Sequence, residues 1–391
     1  MPVSTTPSPV FRGHLPALDG LRGIAILLVI FVHFAVFVPV GRLEHWFKHV
    51  SLLGLHGVDL FFVLSGFLIT GILLDSKGMP HFLRNFYVRR SLRIFPLYYA
   101  VLCICFVAIP SIVASGQWVW YMLYASNLLF VTKHFILVSE LGITWSLAIE
   151  EQFYLAWAVA VIFLRPETLL RICAFVVCGA FLLRVGMWLT GFSMNQIFGF
   201  TLCRADTLAW GAGLAVYVRS PRYRPKKIYR VAIVTALATA AVFVTLFFFR
   251  FFLELESPVW YTVGFSLVAA FFAQVLVLAL HATWASRALV WWPLRFFGKY
   301  SYGIYLLHLP VRDFLLRGVF SGGQLERWFS FPMGKYLVFY AVATLAVIPP
   351  ALVSWHLFEK QFLKLKSFFP SGARGRTANK FAELHGKAQG A

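Results

Sequence analysis

LPALDGLRGIAILLVIFVHF, residues 15–34, decides the fold of this chain. It is an apolar run about as long as the ~20 residues a helix needs to cross a bilayer, yet it carries Arg22 and His33. Eleven residues make about three helical turns, so both side chains project from one side of the helix, roughly 16 Å apart along its axis. Outward from this stretch, 60% of the 391 residues are hydrophobic and only 13% are charged. Mean hydropathy is +0.78. A soluble domain carries about 25% charged residues, so the composition specifies an all-α integral membrane protein.

Ten spans are expected near residues 18–38, 55–74, 94–114, 142–164, 169–189, 197–218, 231–249, 258–280, 297–319 and 336–358. With the N-terminus inside, the inner segments and their flanks hold 24 of the 35 Lys and Arg, and the outer ones 8. That bias predicts both termini in the cytoplasm. The net charge of +20 is dispersed over the inner loops rather than gathered on one face, so nucleic acid is not the expected partner. The five cysteines fall within expected spans, without zinc-type spacing or a paired framework, and read as packing residues.

Residues 1–15 are a short Pro-containing cytoplasmic tail and no cleavable signal peptide is visible. Residues 16–366 form the membrane domain, and 367–391 a basic, flexible cytoplasmic tail. The inner segment 77–93, which mixes basic and aromatic residues, is expected to lie along the headgroup layer. Outside, 39–54 reads as a loop, while 114–141 lies at the interface or re-enters.

An ionisable residue within a span costs roughly 2.5–3.5 kcal/mol, so each invites a functional hypothesis. Arg22, at the inner end, has the planar fork that grips phosphate, and His33, in the outer half, can serve as a general base. Spacing alone leaves open a surface anchor and a packing hydrogen bonder instead. Glu150 and Glu151, in TWSLAIEEQFYL, point about 100° apart, so one can face the first helix. It would orient or protonate the His33 imidazole, and the other would satisfy a neighbour such as Arg204. Arg204 and Asp206, in TLCRADTLAW, cannot pair well with each other and each implies a partner on another helix, with Asp59 and the glutamates as candidates. The inner arginines Arg89, Arg90 and Arg93 anchor the orientation and are placed to clamp phosphates with Arg22.

His308, in YGIYLLHLPV, is a second candidate for acceptor-side work. Ser65 and Gly66 form a small-residue step for close packing; a Ser65 nucleophile would need a base that the sequence does not supply. His45, His49 and His56 read as surface-loop residues rather than metal ligands, and Arg184 has no evident role.

Seven fragments in order resemble the membrane-bound acyltransferase-3 family. The first is the opening stretch, with an Arg-(ten residues)-His signature at Arg22 and His33. GVDLFFVLSGFLIT, FYVRRSLRIFPLYY, TWSLAIEEQFYL, CRADTLAWGAGLA, FGKYSYGIYLLHLPV and SWHLFEKQF follow. The resemblance spans about residues 15–365. It implies a ten-helix enclosure around a pore-like site, with acyl groups, most often acetyl, moved from cytoplasmic acyl-CoA to sugar hydroxyls across a bacterial inner membrane. It also carries the essential pair onto Arg22 and His33, the acidic signature onto Glu150 and Glu151, and the basic loop onto Arg89, Arg90 and Arg93. No metal is expected. Gln361 stands where proline is frequent, which touches only the end of the last span. The hydrolase-like outer domain of some members is not seen, so the membrane part would act alone, with a separate outer-face transferase, or with polysaccharide-assembly proteins. The competing expectation is a lipid-glycan or small-molecule flippase, whose buried charges line a pathway without covalent chemistry.

Overall fold

The computed structural model describes residues 14–132, 138–248, 258–321 and 332–370. Most of the two tails therefore lies outside the described residues. Among the described residues there is no strand. The long helices are α1 (Pro16–His33), α2 (Arg42–Ser51), α3 (Gly57–Ser76), α4 (Phe82–Ala108), α5 (Thr144–Phe163), α6 (Pro166–Leu189), α7 (Thr201–Tyr217), α8 (Pro225–Phe248), α9 (Phe265–His281), α10 (Trp292–Phe314) and α11 (Pro332–Val353). Local chemistry sets their ends. Pro16 and Pro166 open α1 and α6, where a missing N–H costs nothing. Gly191, at φ +85°, turns the chain out of α6 as only glycine does cheaply.

Eight helical segments among the described residues are long and apolar enough to cross a membrane. The sixth and ninth expected spans differ in character. The sixth is broken into Met194–Gly199 and the 17-residue α7. The ninth is α10, 23 residues carrying Arg295, Lys299, His308, Arg312 and Asp313. Both are wrapped by other helices, and much of α7 and α10 is buried.

Two helix pairs approach at backbone distance. A Cβ placed on Gly298 of α10 would stand 1.8 Å from Asp19 O of α1, and one on Gly23 would stand 2.0 Å from Leu294 O. Likewise a Cβ on Gly66 of α3 would meet Leu208 O of α7 at 2.0 Å. Small residues at crossings let backbones pack this closely in lipid, where the hydrophobic effect does not drive helices together. The first pairing sets His33 beside His308, and the second sets Asp59 beside Arg204. Helix α5 is tied to α3 by Trp157 Nε1, which donates to Thr70 Oγ1 at 2.8 Å.

Several local expectations are corrected. Residues 82–93 do not lie apart along a surface: α4 starts at Phe82 and runs unbroken through the arginines to Ala108. The arginines are tolerated on this helix because Arg90 and Arg93 face an internal cavity, not hydrocarbon. The 39–54 segment is not a bare loop but holds α2. The segment after α4 turns back on the bundle, where buried Asn127 donates to Gly199 O at 2.9 Å.

Candidate active site

A cavity of about 220 Å³ runs between α1, α3, α4, α5 and α10. On α3 its wall extends from Val58 to Ile72, roughly 21 Å of helix at 1.5 Å per residue. Arg22, Arg90 and Arg93 bring positive charge to it, and Glu150 brings negative charge. Arg22 feels the charges of Asp19, Arg90 and Glu150. Glu150 therefore faces α1, as helical phase requires of one of the two glutamates.

Glu150 is not bonded to His33, however. Its Oε2 accepts from Tyr154 Oη at 2.9 Å, and Tyr154 Oη is also hydrogen-bonded to Ser65 Oγ. The Arg90 guanidinium lies over the Tyr154 ring, 4.6 Å from its centre. Tyr154 and Ser65 thus belong to the site. Sequence reasoning left Ser65 without a base and passed over Tyr154, although Tyr154 follows Glu150 by one helical turn, the spacing at which side chains meet. Glu151 turns to the neighbouring face, toward Tyr98, Tyr124 and Tyr302, and its Oε1 is buried without a hydrogen-bond partner. It does not reach Arg204, contrary to expectation, because that arginine is engaged elsewhere.

His33 sits three turns above Arg22 on α1 and finds its partner on α10. His308 Nε2 is 3.1 Å from His33 Nδ1, and the ring centres are 4.9 Å apart. The tautomers follow from the other contacts. His308 Nδ1 lies 2.6 Å from Tyr305 O, and a carbonyl can only accept, so that nitrogen carries the proton. In a neutral ring, His308 Nε2 is then an acceptor, and His33 Nδ1 shares its proton between it and Val29 O at 2.9 Å. The remaining atom, His33 Nε2, keeps a lone pair. That is the electronic state a general base needs.

Cations hold the end of α1 beyond this pair, on the side away from Arg22. Arg312 donates to His33 O at 3.3 Å, to Ser139 Oγ and to Asp313 Oδ1 at 2.7 Å, while Lys48 donates to Ala35 O. They satisfy carbonyls that a helix C-terminus leaves open. Between the cavity and the histidines stands Tyr305, whose hydroxyl is 2.6 Å from Ser146 Oγ and whose ring centre is 5.8 Å from that of His308. Tyr305 lines the cavity; His33 and His308 do not.

The other buried charges form a separate framework. Arg204 pairs with Asp59 at 2.6 Å, and Asp59 also accepts from His56 Nδ1 at 2.8 Å. Arg184, unassigned from sequence, pairs with Asp206 at 2.8 Å and donates to Ser266 Oγ at 2.5 Å. The Arg204 guanidinium faces the Phe265 ring at 4.0 Å. His56 is consequently no surface-loop residue: it is buried as the third member of the Asp59 cluster. Arg89 lies at the opposite end of the bundle, donating to Lys366 O and Phe369 O at 2.8 and 2.9 Å.

The helical membrane bundle thus encloses a cavity with arginines at one end and a hydrogen-bonded histidine pair past the other. The chain belongs to the acyltransferase-3 family, whose acyltransferase domain matches residues 15–356. It is 33% identical over 325 residues to the peptidoglycan O-acetyltransferase OatA of Listeria monocytogenes, covering 77% of this chain and 50% of that protein. It is 29% identical over 386 residues to the O-acetyltransferase OatA of Staphylococcus aureus, covering 91% and 59% respectively. The chain thus spans about half the length of the curated relatives it matches. No solved structure matches it.

Proposed function

We propose that this protein is an O-acetyltransferase of a bacterial inner membrane, moving an acetyl group from cytoplasmic acetyl-CoA to a hydroxyl of a cell-surface glycan. One observation carries the reading: an elongated cavity begins among Arg22, Arg90 and Arg93 and ends at Tyr305, one turn from the His33–His308 pair. Phosphates of the donor are held at the arginines, which bind them bidentately and stay charged. The thioester end extends along α3 toward the histidines. His33 Nε2 takes the proton of the acceptor hydroxyl, the oxygen attacks the thioester carbon, and the carbon–sulfur bond breaks to release the thiolate. The names of the relatives supply the glycan class and the acetyl group; the excess of Lys and Arg on the arginine side supplies the sidedness.

The test uses sealed membrane vesicles containing the protein, with acetyl-labelled CoA on the cytoplasmic side. Wild-type vesicles are expected to consume the donor and label a glycan, and His33→Ala vesicles to do neither at more than a trace rate. Full labelling by His33→Ala overturns the mechanism. Glycan movement without consumption of acetyl-CoA overturns the enzyme reading in favour of a flippase.

A further inference from the structure

A second cavity, of about 550 Å³, lies between α6, α7, α8 and α9 and shares no lining residue with the first. Its walls are mostly apolar, from Leu170 on α6 to Val231 on α8 and Val277 on α9. Trp210 and Val231 line it and are exposed, so it is a groove open on the outside of the bundle. The turn between α7 and α8 stands at one end: Tyr217 and Ile228 line the groove, and Tyr217 Oη donates to Arg222 O at 3.4 Å. Arg219 of this turn donates to both carboxylate oxygens of Asp75, at 2.9 Å each, near the end of α3. The turn therefore sits at the end of the bundle where α4 begins.

Cations crowd this mouth. Arg222, Arg224, Lys226, Lys227 and Arg230 are all exposed, and none has an ion-pair partner among the described residues. No acidic residue falls between Asp206 and Glu254, and α6 brings only Glu167. On α8 the lining residues Ile228, Val231 and Thr235 recur at helical spacing, and Arg224 and Lys227 extend that stripe by one turn. The positive pole of the α8 N-terminus adds to them. Inside the groove, Gln274 is out of place. Its Oε1 is buried without a partner, and no hydrogen bond holds its amide nitrogen among the described residues. By contrast Thr235 Oγ1 is satisfied by Val231 O at 2.7 Å. Nothing fixes the Gln274 amide, so it can present an N–H to the groove. An unmet amide in apolar surroundings is costly unless a ligand meets it. Gln274 stands roughly 10 Å along α9 from His281, which is hydrogen-bonded to Tyr223 of the basic turn. A diacyl phospholipid with its phosphate at the cations carries ester carbonyls below it; a polyprenyl phosphate carries none.

We propose that this groove binds an anionic diacyl phospholipid, with its phosphate at Arg224 and Lys227, an ester carbonyl accepting from the Gln274 amide, and an acyl chain in the apolar cavity. Basic residues beside an apolar slot attract such head groups, and the chain supplies the hydrophobic part of the contact. The site stands independently of the acyl-transfer reading. Helix α7 lines the groove and also carries Arg204 and Asp206, so the lipid braces the helix that holds the buried ion pairs. A ligand that binds only the folded state raises stability by mass action.

The test is native mass spectrometry and thermal unfolding of the full chain in detergent with four added lipids: phosphatidylglycerol, phosphatidylcholine, diether phosphatidylglycerol and a polyprenyl phosphate. Wild-type protein is expected to retain phosphatidylglycerol about tenfold more tightly than phosphatidylcholine and several-fold more tightly than the diether, with a raised melting temperature. Arg224→Gln combined with Lys227→Gln should erase the preference over phosphatidylcholine. Gln274→Leu should keep that preference and erase the one over the diether. Equal retention of phosphatidylglycerol and phosphatidylcholine by wild-type protein overturns the proposal, and so does wild-type behaviour of either variant. Tighter retention of the polyprenyl phosphate also overturns it and assigns the groove to an isoprenoid chain. Arg224 and Lys227 are exposed, so their variant remains informative if Gln274→Leu does not fold.

Discussion

His308 Nε2 accepts a hydrogen bond from His33 Nδ1 across 3.1 Å, between helices that touch at backbone distance. The bond joins α10 to the end of α1 and leaves His33 Nε2 as the basic atom. General bases contribute about 10²–10⁴-fold to rate, so His33→Ala should cost that much in acetyl transfer. His308→Ala should cost less, because His33 keeps Val29 O but loses one restraint on its ring. His308→Gln, which can still offer an acceptor, should recover part of the loss. Equal rates for the alanine and glutamine variants at position 308 would remove the tautomer argument.

A different pattern is expected at the glutamates. Glu150 ends the chain Ser65–Tyr154–Glu150 inside the cavity, whereas Glu151 turns to another face. Glu150→Gln and Tyr154→Phe should each lower kcat about tenfold or more with the protein still folded, since each removes one member of a charge-assisted chain. Glu151→Gln should leave kcat within a few-fold of wild type. Steady-state kinetics with acetyl-CoA and purified protein in nanodiscs separate the two.

The contrast between these glutamates also marks what could be read from sequence. Helical phase made Arg22 and His33 share a face, forced Glu150 and Glu151 apart, and required Arg204 and Asp206 to find partners elsewhere; Asp59 was a correct candidate for Arg204. Those inferences concern one helix at a time, or a charge that cannot stay unpaired in lipid. Which helix touches which depends on tertiary packing at Gly23, Gly66 and Gly298, and so the His33–His308 and Ser65–Tyr154 bonds were not legible. The arginines of α4 were misplaced for a related reason: a basic, aromatic stretch looks alike whether it faces headgroups or an internal polar cavity. His56 was misread because its partner, Asp59, closes a cluster completed only by Arg204.

That cluster should govern stability more than chemistry. Asp59 and Arg204 are each 1% exposed, and removing one partner strands a buried charge, which costs roughly 3–5 kcal/mol. Arg204→Met should therefore lower the melting temperature sharply. Asp59→Asn combined with Arg204→Met should recover much of the loss, because no uncompensated charge remains. Thermal unfolding of the detergent-solubilised single and double variants measures this, and additive losses would show that the two residues are not energetically coupled.

Tyr305 is the last residue of the first cavity before the histidine pair, and its hydroxyl is tied to Ser146 Oγ at 2.6 Å. Its ring stands between the first cavity and the histidine pair, so on the proposed mechanism it separates the donor from the atoms that would activate an acceptor. Excluding water from a reactive acyl donor is one function of a closed site. Removing the ring should therefore uncouple donor consumption from transfer. Tyr305→Ala is expected to hydrolyse acetyl-CoA without acceptor several-fold faster than wild type, while transferring acetyl more slowly. Tyr305→Phe keeps the ring and loses only the bond to Ser146, so its hydrolysis should stay near the wild-type level. Free thiol release, measured with and without acceptor, distinguishes the two variants. If hydrolysis by Tyr305→Ala matches wild type, the ring does not close the path, and the acyl group must reach His33 by another opening.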